Sequence, residues 1–288
     1  MKKFLSLIFF IISFNGFSQD TDGDSVNDDV DNCPTVANGP SIEGTTVAGG
    51  NGQGSASNQF NRPKGIVFDA SGNMYISDKN NNRIQKWSPG ASEGTTVAGG
   101  NGNGSAANQL DQPIGIALDA SGNLYIADRK NNRIQKWAPG ASEGITVAGG
   151  NSSGSAVNQL NQPSGITLDA SGNLYIADKD NHRIQKWAPG ASEGTTVAGG
   201  NGSGSATNQL NQPSGVFLDS DVNLYISDTY NHRIQKWGSG ASEGTTVAGG
   251  NGQGSATNQF NKPKGINIDA SGNLYIADKD NHRIQKWE

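Results

Sequence analysis

The stretch SEGITVAGGNSSGSAVNQLNQPSGITLDASGNLYIADKDNHRIQKW, Ser142 to Trp187, decides how this chain is read. It contains four short apolar segments: Ile145 to Ala148, Gly165 to Asp169, Asn173 to Asp178 and Arg183 to Trp187. Each is strand-length, rich in β-branched or aromatic residues, and bounded by Gly, Pro, Asn, Asp or Ser. No ten-residue helical period occurs outside the first residues of the chain.

The stretch recurs. Trp87, Trp137, Trp187, Trp237 and Trp287 are each 50 residues apart, and the register never slips. Four strands per repeat with glycine-rich turns predict an all-β fold, a β-propeller of four-stranded blades. Such a blade cannot bury both faces alone, so blades stack on one another. The Thr-Thr-Val-Ala-type strand occurs at 45–48, 95–98, 145–148, 195–198 and 245–248. The other three strands form five sets, beginning near Gly65, Gly115, Gly165, Gly215 and Gly265. The strand at 45–48 has no set before it, and the last set has no such strand after it. The expectation is therefore five blades, closed by Thr45 to Ala48 pairing with the last blade. The rival is a six-bladed ring lacking one blade, through a shortened chain or pairing between molecules.

Composition narrows the function. The 288 residues carry a formal net charge of -5 and one cysteine, with 33% hydrophobic and 16% charged residues. A single cysteine excludes a disulfide scaffold and a multi-cysteine zinc site. The acidic balance argues against general nucleic-acid binding. Low hydrophobicity here reflects the 41 glycines of repeated turns rather than disorder, which would bring high net charge and few aromatics.

The first residues read as an address. Lys2 and Lys3 precede an apolar run from Phe4 to Phe14, and Gly16 and Ser18 are small. That is a secretory signal peptide over 1–18, cleaved after Ser18 and too short to span a membrane comfortably. With no second apolar run, the mature chain is expected to be secreted or held at the cell surface, with no membrane span.

The segment 19–40 is an acidic loop. Asp20, Asp22, Asp24, Asp28 and Asp31 stand at positions 1, 3, 5, 9 and 12 of a calcium loop, with the Val26 carbonyl at position 7. Alternate oxygens turn inward as the chain curls around a hard cation that wants six to eight of them. Ser25 replaces the glycine of position 6, and Asp31 the bidentate glutamate. The plainer reading is a solvated acidic linker. The run ending Asp31-Asn32-Cys33-Pro34 resembles one thrombospondin type 3 repeat, over roughly Asp20 to Pro40. That resemblance implies calcium as the cofactor, at an extracellular-grade affinity of roughly 0.1–1 mM. In that family the cysteines pair. Cys33 has no partner in this chain, so it stays free or makes an intermolecular contact. The loop also holds most of the acidity: without residues 1–31 the chain has 19 basic and 20 acidic residues.

Residues 41–288 hold the five 50-residue repeats. Pro163-Ser164-Gly165-Ile166, Gly172 to Asp178 and Asn181-His182-Arg183-Ile184 resemble NHL repeats, named for an Asn-His-Leu signature. The resemblance implies a propeller and leaves the function open, because the family includes binding modules, sensors and a few enzymes. One enzyme relative, the peptidylglycine amidating lyase, holds zinc with histidines near the inner-strand starts. The matching positions here are Lys64, Ile114, Ser164, Ser214 and Lys264, and none is histidine. His182, His232 and His282 share one loop position in three blades and read as structural. Asp69, Asp119, Asp169, Asp219 and Asp269 each precede Ala-Ser-Gly-Asn or a variant and read as turn-capping carboxylates. The Asp78–Arg83 pair and its repeats read as ion pairs within a blade, and the tryptophans as inter-blade locks. Val222 stands where other copies have glycine, and a locally altered turn is expected there.

The copies differ mostly in two loops, the one before the inner strand and the one before the arginine, which emerge on one face. Arg62, Lys64, Lys262 and Lys264 form a basic seam there, and Thr229-Tyr230-Asn231-His232 is the most divergent loop. The leading expectation is a secreted, non-enzymatic interaction module. Its face would bind an extracellular protein or glycan, and no nucleic acid. The alternatives are a metal-dependent propeller lyase or hydrolase, and a structural surface or matrix adhesion protein.

Overall fold

The computed structural model describes residues 45–288 apart from Ala270. The signal segment, the acidic loop with Asp20, Asp22, Asp24, Val26, Asp28 and Asp31, and Cys33 all lie outside the described residues.

Blade one consists of β1 (Pro63–Phe68), β2 (Met74–Asp78), β3 (Arg83–Trp87) and β4 (Thr95–Gly99). Blade two follows with β5 (Pro113–Leu118), β6 (Leu124–Asp128), β7 (Arg133–Trp137) and β8 (Ile145–Gly149). Blade three has β9 (Pro163–Leu168), β10 (Leu174–Asp178), β11 (Arg183–Trp187) and β12 (Thr195–Gly199). Blade four has β13 (Val216–Leu218), β14 (Leu224–Asp228), β15 (Arg233–Trp237) and β16 (Thr245–Gly249). Blade five holds β17 (Pro263–Ile268), β18 (Leu274–Asp278) and β19 (Arg283–Trp287). Each sheet is an antiparallel meander in chain order. The fold is a five-blade β-propeller, as the 50-residue spacing predicts.

The core lies between blades. Tyr125, Ala127, Ile134 and Ala148 of blade two pack on Leu160, Ile166, Leu174, Ile176 and Trp187 of blade three and its leading loop. Tyr175, Ala177, Ile184 and Ala198 meet blade four in the same way. The tryptophans thus lock neighbouring blades; Trp187 is 2% exposed.

Inside each blade a buried ion pair is the second organiser. Asp178 Oδ2 accepts from Arg183 Nε at 2.7 Å and from Asn181 Nδ2 at 2.7 Å, and Oδ1 accepts from the Asn161 backbone at 2.6 Å. Arg183 then donates to the carbonyls of Ser155, Ala156 and Gln159. The expected hairpin pair therefore also staples down the long loop that leads into the blade.

One expectation fails. Thr45 to Ala48 does not form the closing strand: no strand is present there, and the sheet of blade five has three strands. The physical reason lies in the strand itself. In the other copies it buries only one small residue, Ala98, Ala148, Ala198 or Ala248, and half-buries the valine before it. So little burial and a few ladder bonds do not offset the ordering of five residues unless an edge already lies beside them. Ala48 still packs with Phe60 against Met74, Ile76 and Trp87 of blade one, as Ala98 packs on blade two, so what is missing is the pairing with blade five. The outward faces of the end blades are bare. Ile66 and Phe68 are 55% and 58% exposed, and Ile284 is 67% exposed, where Ile84, Ile134, Ile184 and Ile234 are at 0%.

The β1–β2 turns confirm the capping carboxylates. Asp169 Oδ1 accepts from the backbones of Ser171 and Asn173, and Oδ2 from Asn173 Nδ2 and the Tyr175 hydroxyl. The expected altered turn at Val222 is not observed. Val222 N–H donates to Asp219 at 3.0 Å, the bond Gly72 and Gly172 make, and the valine itself takes φ +63°. A β-branched residue in the left-handed region is strained by about 1–2 kcal/mol. Val222→Gly is therefore expected to stabilise the protein by about 1 kcal/mol, after losing the valine's partial packing on the blade core. Urea denaturation checks this, and a loss of stability would contradict it.

Candidate functional site

In each meander the β2–β3 turn and the β4-to-next-blade loop lie at one end, and the β1–β2 and β3–β4 turns at the other. The first end begins each inner strand, because Pro63 pairs with Asp78 and Pro263 with Asp278. The inner strands of successive blades lie side by side, so the residues that begin them rim the central channel.

Charge divides sharply between the two ends. Setting aside the five buried Asp–Arg pairs, the channel-mouth end carries Arg62, Lys64, Lys79, Arg129, Lys130, Lys179, Lys262, Lys264 and Lys279. Only Asp111, Asp180 and Asp280 oppose them there. At the far end stand the turn aspartates, Asp221 and Glu93, Glu143, Glu193 and Glu243, with the β3-type lysines among them. There Lys86 lies 3.8 Å from Asp69 and 5.3 Å from the Tyr75 ring centroid. The near-neutral propeller is thus strongly dipolar, and a channel lined by one sign of charge focuses its field outward.

Two sets of positions build the mouth. The residue after the proline at the start of each blade is Lys64, Ile114, Ser164, Ser214 or Lys264, and the residue following the second strand of each blade is Lys79, Arg129, Lys179, Thr229 or Lys279. Their fields overlap. Burial, reinforced by the Lys179, Lys279 and Lys64 ammoniums, pulls the Lys264 amine down to about 8. Burial and the nearby Arg129, Lys64 and Arg62 also lower Lys79. Asp280 bonds to Lys279 at 2.6 Å and Lys262 at 2.9 Å, and those ammoniums hold its carboxyl at about 2. Arg129 reaches the side-chain oxygens of Gln112 and Gln162, joining blades two and three. Blade four breaks the pattern: Ser214 and Thr229 are buried and their hydroxyls lie 2.7 Å apart.

The sequence-derived seam is brought together in part. Lys64 and Lys264 lie in each other's field. Lys262 stands 5.8 Å from the ring centroid of Tyr230, which is exposed. Arg62 lies near Lys79. Sequence reasoning missed Lys79, Arg129, Lys179 and Lys279, although aligning the five copies at the residue after the buried aspartate would have shown them.

A family model described as NHL repeat matches residues 60–87, 110–137, 160–187, 210–237 and 260–287. The chain is an NHL-repeat β-propeller. Among solved structures, its fold is similar to an auxiliary nutrient binding protein from Bacteroides thetaiotaomicron, at 18% identity and TM-score 0.60, over 78% of this chain and 58% of that one. A second auxiliary nutrient binding protein, from Bacteroides ovatus, matches at 19% identity and TM-score 0.60, over 81% of this chain and 60% of that one. The chain therefore spans less than two thirds of both nutrient binding proteins. A nidogen/laminin complex matches at 21% identity and TM-score 0.60, over 78% of this chain and 75% of that one. At these identities the likeness shows the fold alone. No curated protein matches the chain.

In this NHL propeller two of the three histidines, His182 and His232, have a structural task. The backbone N–H of Gln212 donates to His182 Nδ1 at 3.0 Å, and that of Lys262 to His232 Nδ1 at 3.2 Å. Asn82 and Asn132 do the same for Gln112 and Gln162, each at 2.9 Å. All four clamp one blade to the next from a left-handed position. Acceptance requires neutral imidazole, and burial together with Lys262 lowers His232 from the ordinary 6.5. A depressed base contributes stability above its unfolded pKa, and that contribution is lost as pH falls from 6.5 through the folded value. His232→Asn is expected to keep stability at neutral pH within about 0.5 kcal/mol and to flatten the acid-side decline. Denaturation midpoints taken between about pH 8 and about pH 5 measure it. An unchanged slope would contradict the clamp's titration.

Proposed function

We propose that this chain is an exported, non-enzymatic binding module. The propeller presents its cationic end to an anionic extracellular protein or glycan, and the Asp20 to Asp31 loop holds calcium. One observation carries the reading: nine cations face three carboxylates, of which Asp180 and Asp280 are already ion-paired, at the channel mouth of a chain whose net charge is -5. Such a concentration of like charge opposes its own folding and has a use only where an opposite charge is supplied from outside. The amides and hydroxyls around it suit polar ligands. Solved structures of similar fold, an auxiliary nutrient binding protein and a nidogen/laminin complex, fit a recognition role.

The test is a screen of the chain against acidic glycans and acidic proteins, with and without calcium. Binding that weakens steeply as salt is raised supports the reading. No binding at low ionic strength overturns it. Calcium titration is a separate arm, and no binding at about 5 mM, above the range expected of such loops, would remove the calcium assignment.

A further inference from the structure

We propose that the channel mouth is a seat for a single oxyanion carried by an acidic glycan, with the Lys264 ammonium as its floor and Lys64, Lys179 and Lys279 around it. The inference rests on the binding reading above and names the site within it.

Lys264 is half-buried, and among the described residues it makes neither an ion pair nor a hydrogen bond. Its neighbours deepen the cost. Three further ammoniums share its field, and Asp280, the carboxylate within reach of that field, is already engaged by Lys262 and Lys279. A charge withdrawn from water without a partner destabilises the free protein. The fold does not require it, because the same position of the repeat is Ile114, Ser164 and Ser214 in the middle blades. The charge is therefore suited to a group that arrives from outside. The lowered pKa of the Lys264 amine is the signature of the same unmet demand.

The seat is one-sided. Cations project from blades one, two, three and five, while blade four contributes the paired hydroxyls of Ser214 and Thr229, with Thr229 also donating to the Pro263 carbonyl at 3.1 Å. That arrangement fits one compact anion attached to a neutral polar body rather than a uniformly charged rod. Tyr230, exposed on the blade-four loop beside Lys262, offers a flat face of the kind a sugar ring covers.

Calorimetry of the full chain tests the seat, with an oligouronate and a sulfated oligosaccharide as probes; the two arms tell carboxylate from sulfate. Lys264→Met is expected to weaken binding at least about tenfold, the loss of one charge-assisted bond. The same variant is expected to melt higher than the parent without ligand, because a repelled ammonium is gone. Arg62→Met, on the rim, is expected to weaken binding less than about threefold. Bound oligosaccharide is expected to protect Lys264 from acylation. If the parent binds the oligosaccharide and Lys264→Met binds it equally well, the seat is wrong while the binding reading survives. Binding of an acidic polypeptide but of neither oligosaccharide overturns the glycan assignment. Binding of nothing anionic overturns both readings.

Discussion

Replacing Asp178 by alanine is expected to cost about 3–5 kcal/mol, the penalty for leaving a buried charge without its partner. Asp178 is fully buried and accepts three hydrogen bonds, from Asn161, Asn181 and Arg183. Without it, the Arg183 guanidinium remains inside with neutral acceptors alone, the carbonyls of Ser155, Ala156 and Gln159 and the Gln185 amide oxygen. The damage reaches beyond β10 and β11. Those carbonyls belong to the loop that carries Leu160 into the inter-blade core, so the staple and the packing fail together. Urea denaturation followed by tryptophan fluorescence measures the loss. A change below about 1 kcal/mol would mean that the pair is solvated rather than structural.

The second large effect is a contrast. Ile184 and Ile284 occupy the same place in the repeat, with the same neighbours in sequence. Ile184→Ala is expected to cost about 3–4 kcal/mol, within the range for emptying a packed aliphatic site. Ile284→Ala is expected to cost less than about 0.5 kcal/mol, because most of that side chain is already in water. The difference comes from the following blade: Ile184 lies under Val216, Leu224 and Trp237, and Ile284 has no such cover. Equal losses would show that blades five and one meet in solution and bury Ile284 after all.

Much of the fold was legible in the chain. The tryptophan spacing, the turn residues and the alternating apolar runs are local properties, repeated five times, and they fix the strands to within two residues. The paired Asp178 and Arg183 and the capping Asp169 were equally readable, since each acts within a few residues of itself. The candidate site was only half legible. Lys64 and Lys264 stood out because they follow a proline that marks the strand start. Lys79, Arg129, Lys179 and Lys279 looked like ordinary solvated loop residues, because the repeat puts their loops on one face without showing that Lys179 and Lys279 act on the half-buried Lys264.

The sequence by itself determined the blade: its four strands, its buried ion pair, its locking tryptophan and the number of copies. Only the tertiary structure decided how the ends of the propeller stand and where its charge lies. Thr45 to Ala48 carries the right residues for a closing strand, but so short and half-exposed a strand forms only where an edge is already beside it. The cations, drawn from four separate repeats of a near-neutral propeller, become a site because the topology gathers them at one end of one channel.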